Sequence, residues 1–506
     1  MIKDKQLAEI IMVQPNTSLT GSFVRMLPIG LLYASAKVVK NGFPVHVFDA
    51  RIRPSSWERD LECKINENTA IIGITVMSGV SIMESLKISR FVKFKYPKIR
   101  VVWGGPHVTS SPDDGMQEKA IDFIIRGYGS DSFYQLVLNI TGSPAAIPFV
   151  DIKGLSWRDE NDNVQKNELS NEFEFINYRE IPYHLVQNLD DYRHIDSNET
   201  AFPLYSVMGC PYSCAFCSSP ALYSRFSKKW HPYPVKEVVE HIKMLKDRYG
   251  ATFIYFIDDD SFVDLTNIEN IIDGIKQYGI EVKLAFRGAR INEISKMTDS
   301  FLEKLVDAGT NTMHIGAESG SNRLLKLLKK NITVEETIEA NKKLARHTRI
   351  QVFYNFIVGF PTETIEETKM TRDLILRLIK DNPSCCVIPL NKPRPLPGTG
   401  LYDMAVNHGY VAPSTLEEWG RYDVESSDYN PVWLSKQHNA FIRMMFLCMY
   451  FIDDKIFKLS TGRNLKYKVL RLLARMYKPV AMFRFKYGIV QLLIEDKIYS
   501  FLKKFI

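Results

Sequence analysis

Long apolar runs are missing from this sequence. The longest near its C-terminal end, Met444–Ile452, is too short for a bilayer core of about 30 Å, so no membrane-spanning segment is expected. The opening Met-Ile-Lys-Asp-Lys-Gln leads into a strand-like run rather than an apolar leader, so no secretory signal is expected either. Cysteine is scarce: seven occur in 506 residues, three of them in one loop. That distribution excludes a secreted disulfide framework. No paired Cys-x-x-Cys or His-x-x-x-His stands elsewhere to complete a tetrahedral zinc site. Basic and aromatic residues form no nucleic-acid-binding strip, so nucleic acid is not an expected partner. The balance of 45% hydrophobic and 24% charged residues describes an ordinary globular chain, long enough for two to four domains.

What is present is concentrated in Gly209–Cys217, Gly-Cys-Pro-Tyr-Ser-Cys-Ala-Phe-Cys. Cys210, Cys214 and Cys217 fall within eight residues. Three thiolates suit a cubane [4Fe–4S] cluster, which takes four ligands and can leave one iron open to a small molecule. The rival reading is three zinc-bound or packed cysteines on a loop. Cys63, Cys385, Cys386 and Cys448 are scattered, so a second cluster is not expected. Cys385 and Cys386 are adjacent in a strand, point to opposite faces, and read as apolar filler.

Up to about residue 150, short apolar strands alternate with helical patterns. Ala8–Gln14, Val45–Asp49, Ala70–Val76, Arg100–Trp103 and Ile121–Ile125 read as strands. Leu27–Val39, a stretch from Ser81 to Phe94 and one from Ser132 read as helices, the first stopping at Asn41-Gly42. Continuously apolar strands separated by helices predict a parallel sheet covered on both faces, with ligands beyond the C-terminal strand ends. Gly154–Glu168 reads as a hairpin turning at Asp159–Asn163, followed by a linker to about residue 198.

From about 199 to 414, six strand–helix units are expected. Their strands are Leu204–Gly209, Phe253–Ile257, Lys283–Arg287, Thr312–Ala317, Gln351–Val358 and Cys386–Leu390. Such repeats predict a partial parallel (β/α)6 barrel with its site at the C-terminal strand ends. The cysteine loop begins where the first strand ends. Polar or glycine residues close the next four: Asp258-Asp259-Asp260, Arg287, Glu318-Ser319 and Gly359. The acidic run also reads as an N-cap for a helix from Leu265, and Arg287 as an internal ion-pair partner.

The cysteine spacing, with Phe216 just before the last cysteine, resembles the radical S-adenosylmethionine (SAM) superfamily. The N-terminal segments Leu27–Tyr33, Asn41–Val45, Asp49-Ala50, Gly73–Thr75 with Ser78, and Gly104–Thr109 are similar, in that order, to the Rossmann-like cobalamin-binding domain preceding many members. Pro393–Tyr402 resembles the segment that closes the barrel in the same branch, and the resemblance covers about 400 residues. It implies an α/β enzyme with a cobalamin-binding domain (1–150), a hairpin and linker (151–198), a radical SAM barrel (199–414) and a helical C-terminal region (415–506). Cys210, Cys214 and Cys217 would hold the cluster. Phe216, Asp258, Asp259, Arg287, Glu318, Ser319 and Gly359 would hold SAM. Thr75, Ser78, Gly104, Gly105 and His107 would line the cobalamin site. No Asp-x-His-x-x-Gly follows the first strand, where the loop reads Pro15–Gly21, so cobalamin would lack a histidine lower ligand. His107 reads as a turn residue rather than a cobalt ligand.

The activity implied is reductive cleavage of SAM to a 5′-deoxyadenosyl radical, used for C-methylation of an unactivated carbon with the two cofactors facing each other. The alternative is radical cyclisation, ring contraction or oxidative rearrangement, as in the anaerobic porphyrin cyclase. A third reading, a non-catalytic iron–sulfur electron carrier, leaves the SAM-type strand ends without a purpose. The expected partners are a small-molecule or lipid-like substrate and an electron donor such as flavodoxin or ferredoxin, in a reducing cytoplasm. From Lys455 onward, nine Lys and four Arg face only Glu495 and Asp496, so this stretch carries +11 of a chain total of +7. With its amphipathic helices, it reads as a helical cap with a solvated basic face or as a peripheral membrane contact.

Overall fold

The computed structural model describes residues 8–17, 25–173, 175–193, 199–387, 390–421, 430–453, 465–491 and 495. The loop after the first strand is therefore described only to Thr17. The end of the sixth expected strand (388–389) and most of the helix expected from Gly488 lie outside these residues. Two compact units result: 1–192 with 225–227 and 412–423, and 193–224 with 228–411 and 424–506.

The first unit is built on a seven-stranded sheet. Strands β1 (Glu9–Gln14), β2 (Val45–Asp49), β3 (Thr69–Thr75), β4 (Arg100–Gly104) and β5 (Phe123–Ile125) run parallel in the order β2-β1-β3-β4-β5. The hairpin β6 (Leu155–Arg158) and β7 (Val164–Lys166) continues the sheet antiparallel to β5. Its turn is fixed by the Asp159 carboxylate, which accepts from the backbone N–H groups of Asn161 and Asn163. The interior strands are apolar on both faces because helices cover both. Ile10, Met12, Ile71, Val102, Leu136 and Leu155 share one core. Helices Ile29–Lys40, Val80–Lys95 and Ser130–Ile140 fall close to the expected positions.

The second unit holds six parallel strands: β8 (Ala201–Leu204), β11 (Phe253–Phe256), β12 (Lys283–Arg290), β13 (Thr310–Glu318), β14 (Gln351–Phe356) and β15 (Cys385–Val387), side by side in that order. Helices Val235–Tyr249, Leu265–Gln277, Asp299–Asp307, Val334–Leu344 and Ile365–Asp381 follow the strands. One face of the sheet, Ile254, Leu284, Phe286, Met313, Ile315 and Val352, is buried. The other carries Tyr255, Arg287, His314 and Phe353. Among the described residues, β8 and β15 do not pair, so the barrel is open.

Three details differ from the sequence-based expectation. The first strand stops at Leu204, and Val207–Gly209 (β9) leaves the sheet to pair antiparallel with Trp230–Pro232 (β10). Strand β12 runs on to Arg290, with a bulge at Arg287-Gly288 where its register with β13 shifts. Gly288 permits the bulge: a Cβ there would lie 2.7 Å from the carbonyl oxygens of Asp258 and Asp259. The helix at Leu265 is capped by Asp264, not by the Asp258–Asp260 run.

Ile71 is fully buried in the first core, whereas Val164 lies on an exposed edge. Ile71→Ala should lower stability in chemical denaturation by about 2–5 kcal/mol, and Val164→Ala by no more than about 0.5 kcal/mol. Equal effects would contradict this placement of the core.

Candidate functional site

In the second unit the site starts from a buried carboxylate. Asp258 is inaccessible to solvent and accepts from Ser206 N (2.8 Å), Val207 N (3.1 Å), Ser206 Oγ (2.6 Å) and Ser261 Oγ (2.9 Å). Burial pushes its pKa up to about 6, and the four donors oppose that shift. Asp258 therefore fixes the turn that launches the cysteine loop, and its oxygens are taken up by protein donors.

The loop is pinned along its length. Gly209 has φ +86°, and a Cβ there would collide with the Lys229 carbonyl and the Tyr223 ring. Ala215 donates its N–H to Leu328 O at 2.9 Å, and its carbonyl accepts from Leu401 N at 2.8 Å. Phe216 packs with Leu328, Phe360 and Leu401. Cys217 N donates to Cys214 O at 3.2 Å. Burial raises the Cys210 thiol to about 12 and raises Cys217 as well, so metal loading must expel protons. Arg290 Nη1 lies 3.1 Å from Cys214 Sγ, and its guanidinium covers the Tyr212 ring at 3.8 Å. The Tyr212 hydroxyl donates to Glu293 (2.8 Å), and the pKa of buried Asp260 is raised by its burial and by the neighbouring Glu293 carboxylate.

Around this loop stand the other strand ends. Asp259 and Arg287 are exposed, and neither has a hydrogen-bond partner among the described residues. Burial, and secondarily the Arg287 charge, lower the His314 pKa to about 4, and His314 stacks on Phe353 with ring centroids 4.9 Å apart. Glu318 closes β13 in a left-handed conformation (φ +62°) at a second bulge. A non-glycine residue held there stores strain, a common mark of functional sites. Its carboxylate pairs with Lys330 Nζ at 2.7 Å, both side chains about 6% exposed. The Lys330 ammonium lies 5.9 Å from the Phe216 ring centroid. Ser319 is buried as well and accepts from Ser321 N. Gly359 has φ +95°, and with Phe360 it donates its N–H to Glu363 at 2.6 and 2.9 Å.

The sequence reading missed Arg290, Lys330, Tyr212 and His314. Only the bulges bring Arg290 to the loop. Lys330 approaches Glu318 through a turn after Asn322–Leu327 that no local pattern announces.

In the first unit, Thr75, Ser78, Gly104, Gly105 and His107 do gather at the C-terminal ends of β3 and β4. Gly105 (φ +106°) leaves open a space that a Cβ would fill against Val76 O and Thr75 Oγ1, about 3 Å away. His107 is buried, with its pKa lowered to about 4 by desolvation. Its Nδ1 is 3.1 Å from Ser78 Oγ, its Nε2 has no partner, and its ring meets Trp419 edge-on at 5.7 Å. Trp419 is held by Asp114 at 2.8 Å.

Among the described residues no three His, Cys, Asp or Glu side chains converge tightly enough to hold a single metal ion. Cys210, Cys214 and Cys217 lie on one loop, and three thiolates can ligate three irons of a [4Fe–4S] cluster. Comparison with known proteins agrees. Residues 204–375 match the radical SAM superfamily model. The chain carries a radical SAM domain. Residues 22–137 of this radical SAM protein match the B12-binding domain model. It is 27% identical to an uncharacterized methyltransferase of Pyrococcus horikoshii, over 84% of this chain and 87% of the relative. It is 25% identical to the anaerobic magnesium-protoporphyrin IX monomethyl ester cyclase of Cereibacter sphaeroides, over 72% of this chain and 58% of that enzyme. Its fold matches that of the cobalamin-dependent SAM radical enzyme OxsB with aqua-cobalamin and SAM bound. The TM-score is 0.72 at 16% identity, covering 99% of this chain and 75% of that one.

Glu363 yields a testable pH dependence. Burial raises its pKa from 4.5 to about 7. Thr368 Oγ1 bridges Glu363 (2.7 Å) to His438 Nε2 (2.6 Å). The folded state thus binds the Glu363 proton more tightly than the unfolded state. This contribution is full below about pH 4.5 and is lost as pH rises through about 7, a change on the order of 3 kcal/mol. Glu363→Gln mimics the protonated form and should flatten urea stability between pH 5 and 7. An unchanged pH slope would refute the assignment.

Proposed function

We propose that this radical SAM protein is a cobalamin-dependent methyltransferase acting on an unactivated carbon of a small-molecule or lipid-like substrate. When bound, a [4Fe–4S] cluster supplies the electron that cleaves SAM to methionine and a 5′-deoxyadenosyl radical, and cobalamin supplies a carrier for the methyl group. The observation that carries the reading is the pinned three-cysteine loop ringed by unpaired and strained strand-end groups, in a chain that also contains a B12-binding domain.

Cys210, Cys214 and Cys217 hold the cluster, and Arg290 steadies the Cys214 sulfur. Asp259 has a free carboxylate to accept the SAM ammonium, and Arg287 a free guanidinium to clamp its carboxylate. Glu318 and Lys330 form a fixed charge pair beside Phe216, suited to the ribose and the amino-acid end. Asp258 and Ser319 position these groups rather than touching SAM. The Gly359 turn brings backbone close to the adenine. Gly104 and Gly105 allow close approach of the cobalamin tail, with the Thr75 and Ser78 hydroxyls beside it. His107 stays neutral and enclosed, which suits a turn-shaping role and not a cobalt ligand. A flavodoxin- or ferredoxin-like donor supplies electrons, and a reducing cytoplasm suits the cluster. The cyclase relative favours one other reading, radical cyclisation without methyl transfer.

Anaerobically purified protein should contain about four irons and one cobalt per chain. With SAM and a low-potential reductant it should release both 5′-deoxyadenosine and S-adenosylhomocysteine. Cys217→Ala should lose the iron and 5′-deoxyadenosine formation while keeping cobalt. Release of 5′-deoxyadenosine without cobalt or S-adenosylhomocysteine would replace methyl transfer with the cyclisation reading.

A further inference from the structure

The Leu465–Tyr487 helix in the second unit has two unlike faces. Ala474, Ala481 and Phe485 are buried on the inner one. There the Tyr477 hydroxyl donates to Glu495 Oε1 at 2.6 Å, and Arg484 Nε lies 3.5 Å from the same oxygen. Cys448, from the helix Lys436–Ile452, approaches that oxygen at 3.7 Å, and Glu495 itself is fully buried. The helix is therefore held in one rotational setting.

The outer face carries Leu472, Met476, Val480, Phe483 and Tyr487, each between 46% and 69% exposed. At 3.6 residues per turn their spacing of three or four places them in one stripe. The outward side of a helix that met only water would be polar; an exposed apolar stripe of this length marks a surface that something covers. The Phe483 and Tyr487 rings pack together with centroids 4.8 Å apart. Exposed Arg475 and Lys486 border the stripe, and no acidic residue occurs anywhere in the helix.

Charge decides what the cover is. A second copy of the same helix would bring two basic edges together. The chain beyond this helix is itself basic on balance, with Lys497, Lys503 and Lys504 against Glu495 and Asp496. An anionic lipid surface complements both features at once. The apolar stripe enters the boundary between headgroups and acyl chains, the aromatic rings sit at headgroup depth, and the cations meet phosphates. We infer that Leu465–Tyr487 lies in the plane of an anionic membrane and docks the protein there. The inference is independent of methyl transfer, because it rests on this surface alone.

The test is co-sedimentation of the full-length, cluster-loaded protein with vesicles of phosphatidylcholine, with and without phosphatidylglycerol. Binding should require the anionic lipid and fall on the order of tenfold or more in Arg475→Glu/Lys486→Glu. It should also be lost in Leu472→Ser/Phe483→Ser, with iron content and thermal melting unchanged because all four side chains are exposed. Absent binding, or equal binding to both vesicle types, would overturn the inference. So would a concentration-dependent dimer, seen by light scattering, that Leu472→Ser/Phe483→Ser disperses, since the stripe would then belong to a second copy.

Discussion

The arrangement of the barrel site depends on one carboxylate that never meets water. Asp258 lies just past β11 and hydrogen-bonds backward to Ser206 and Val207, which follow β8. Those bonds turn the chain out of the parallel sheet and into the β9–β10 pair, which fixes where Gly209 releases the cysteine loop. From there the restraints run in sequence. Ala215 is strapped to Leu328 and Leu401; Lys330 follows Leu328 and reaches Glu318; Arg290 donates to both the Lys330 carbonyl and Cys214. A shift of the Ser206 turn would pass through all of these contacts. A buried carboxylate is costly unless its lone pairs are filled, and here four protein donors fill them.

Much of this was legible in the sequence. The alternation of apolar strands and helices reports both parallel sheets, because strands buried on both faces need no polar side. The cysteine spacing reports a loop that can bind iron, and the strand-end positions report where polar groups gather. The rest was hidden by single-residue events. Two bulges add one residue each near the ends of β12 and β13, and with a side-chain period of two this reverses which residues face inward. That is why Arg290 reaches the cysteine loop, why Arg287 stands one turn of the pleat earlier, and why Glu318 adopts a positive φ. Composition around these positions is unremarkable, so no pattern marks them. Asp258, Asp259 and Asp260 show the same limit. Three identical neighbours take three different roles, a buried clamp, an exposed charge and a buried carboxyl beside Glu293, set only by what each side chain meets.

The region after the barrel is likewise not one thing. Residues 412–423 belong to the B12-binding unit, where Trp419 closes over His107 and the Glu417 carboxylate meets Arg90. The helix Lys436–Ile452 belongs to the barrel unit, where buried His438 completes the Thr368–Glu363 relay beneath the Gly359 turn. The Thr368 hydroxyl stands between the Glu363 carboxyl and His438 Nε2, and burial keeps the Glu363 pKa raised against the two backbone N–H groups that it accepts at the strand end. The same helix supports Leu465–Tyr487 through Cys448 and Glu495. The inner surfaces of the C-terminal helices thus serve the barrel, and their packing alone orients the apolar, basic-edged stripe outward.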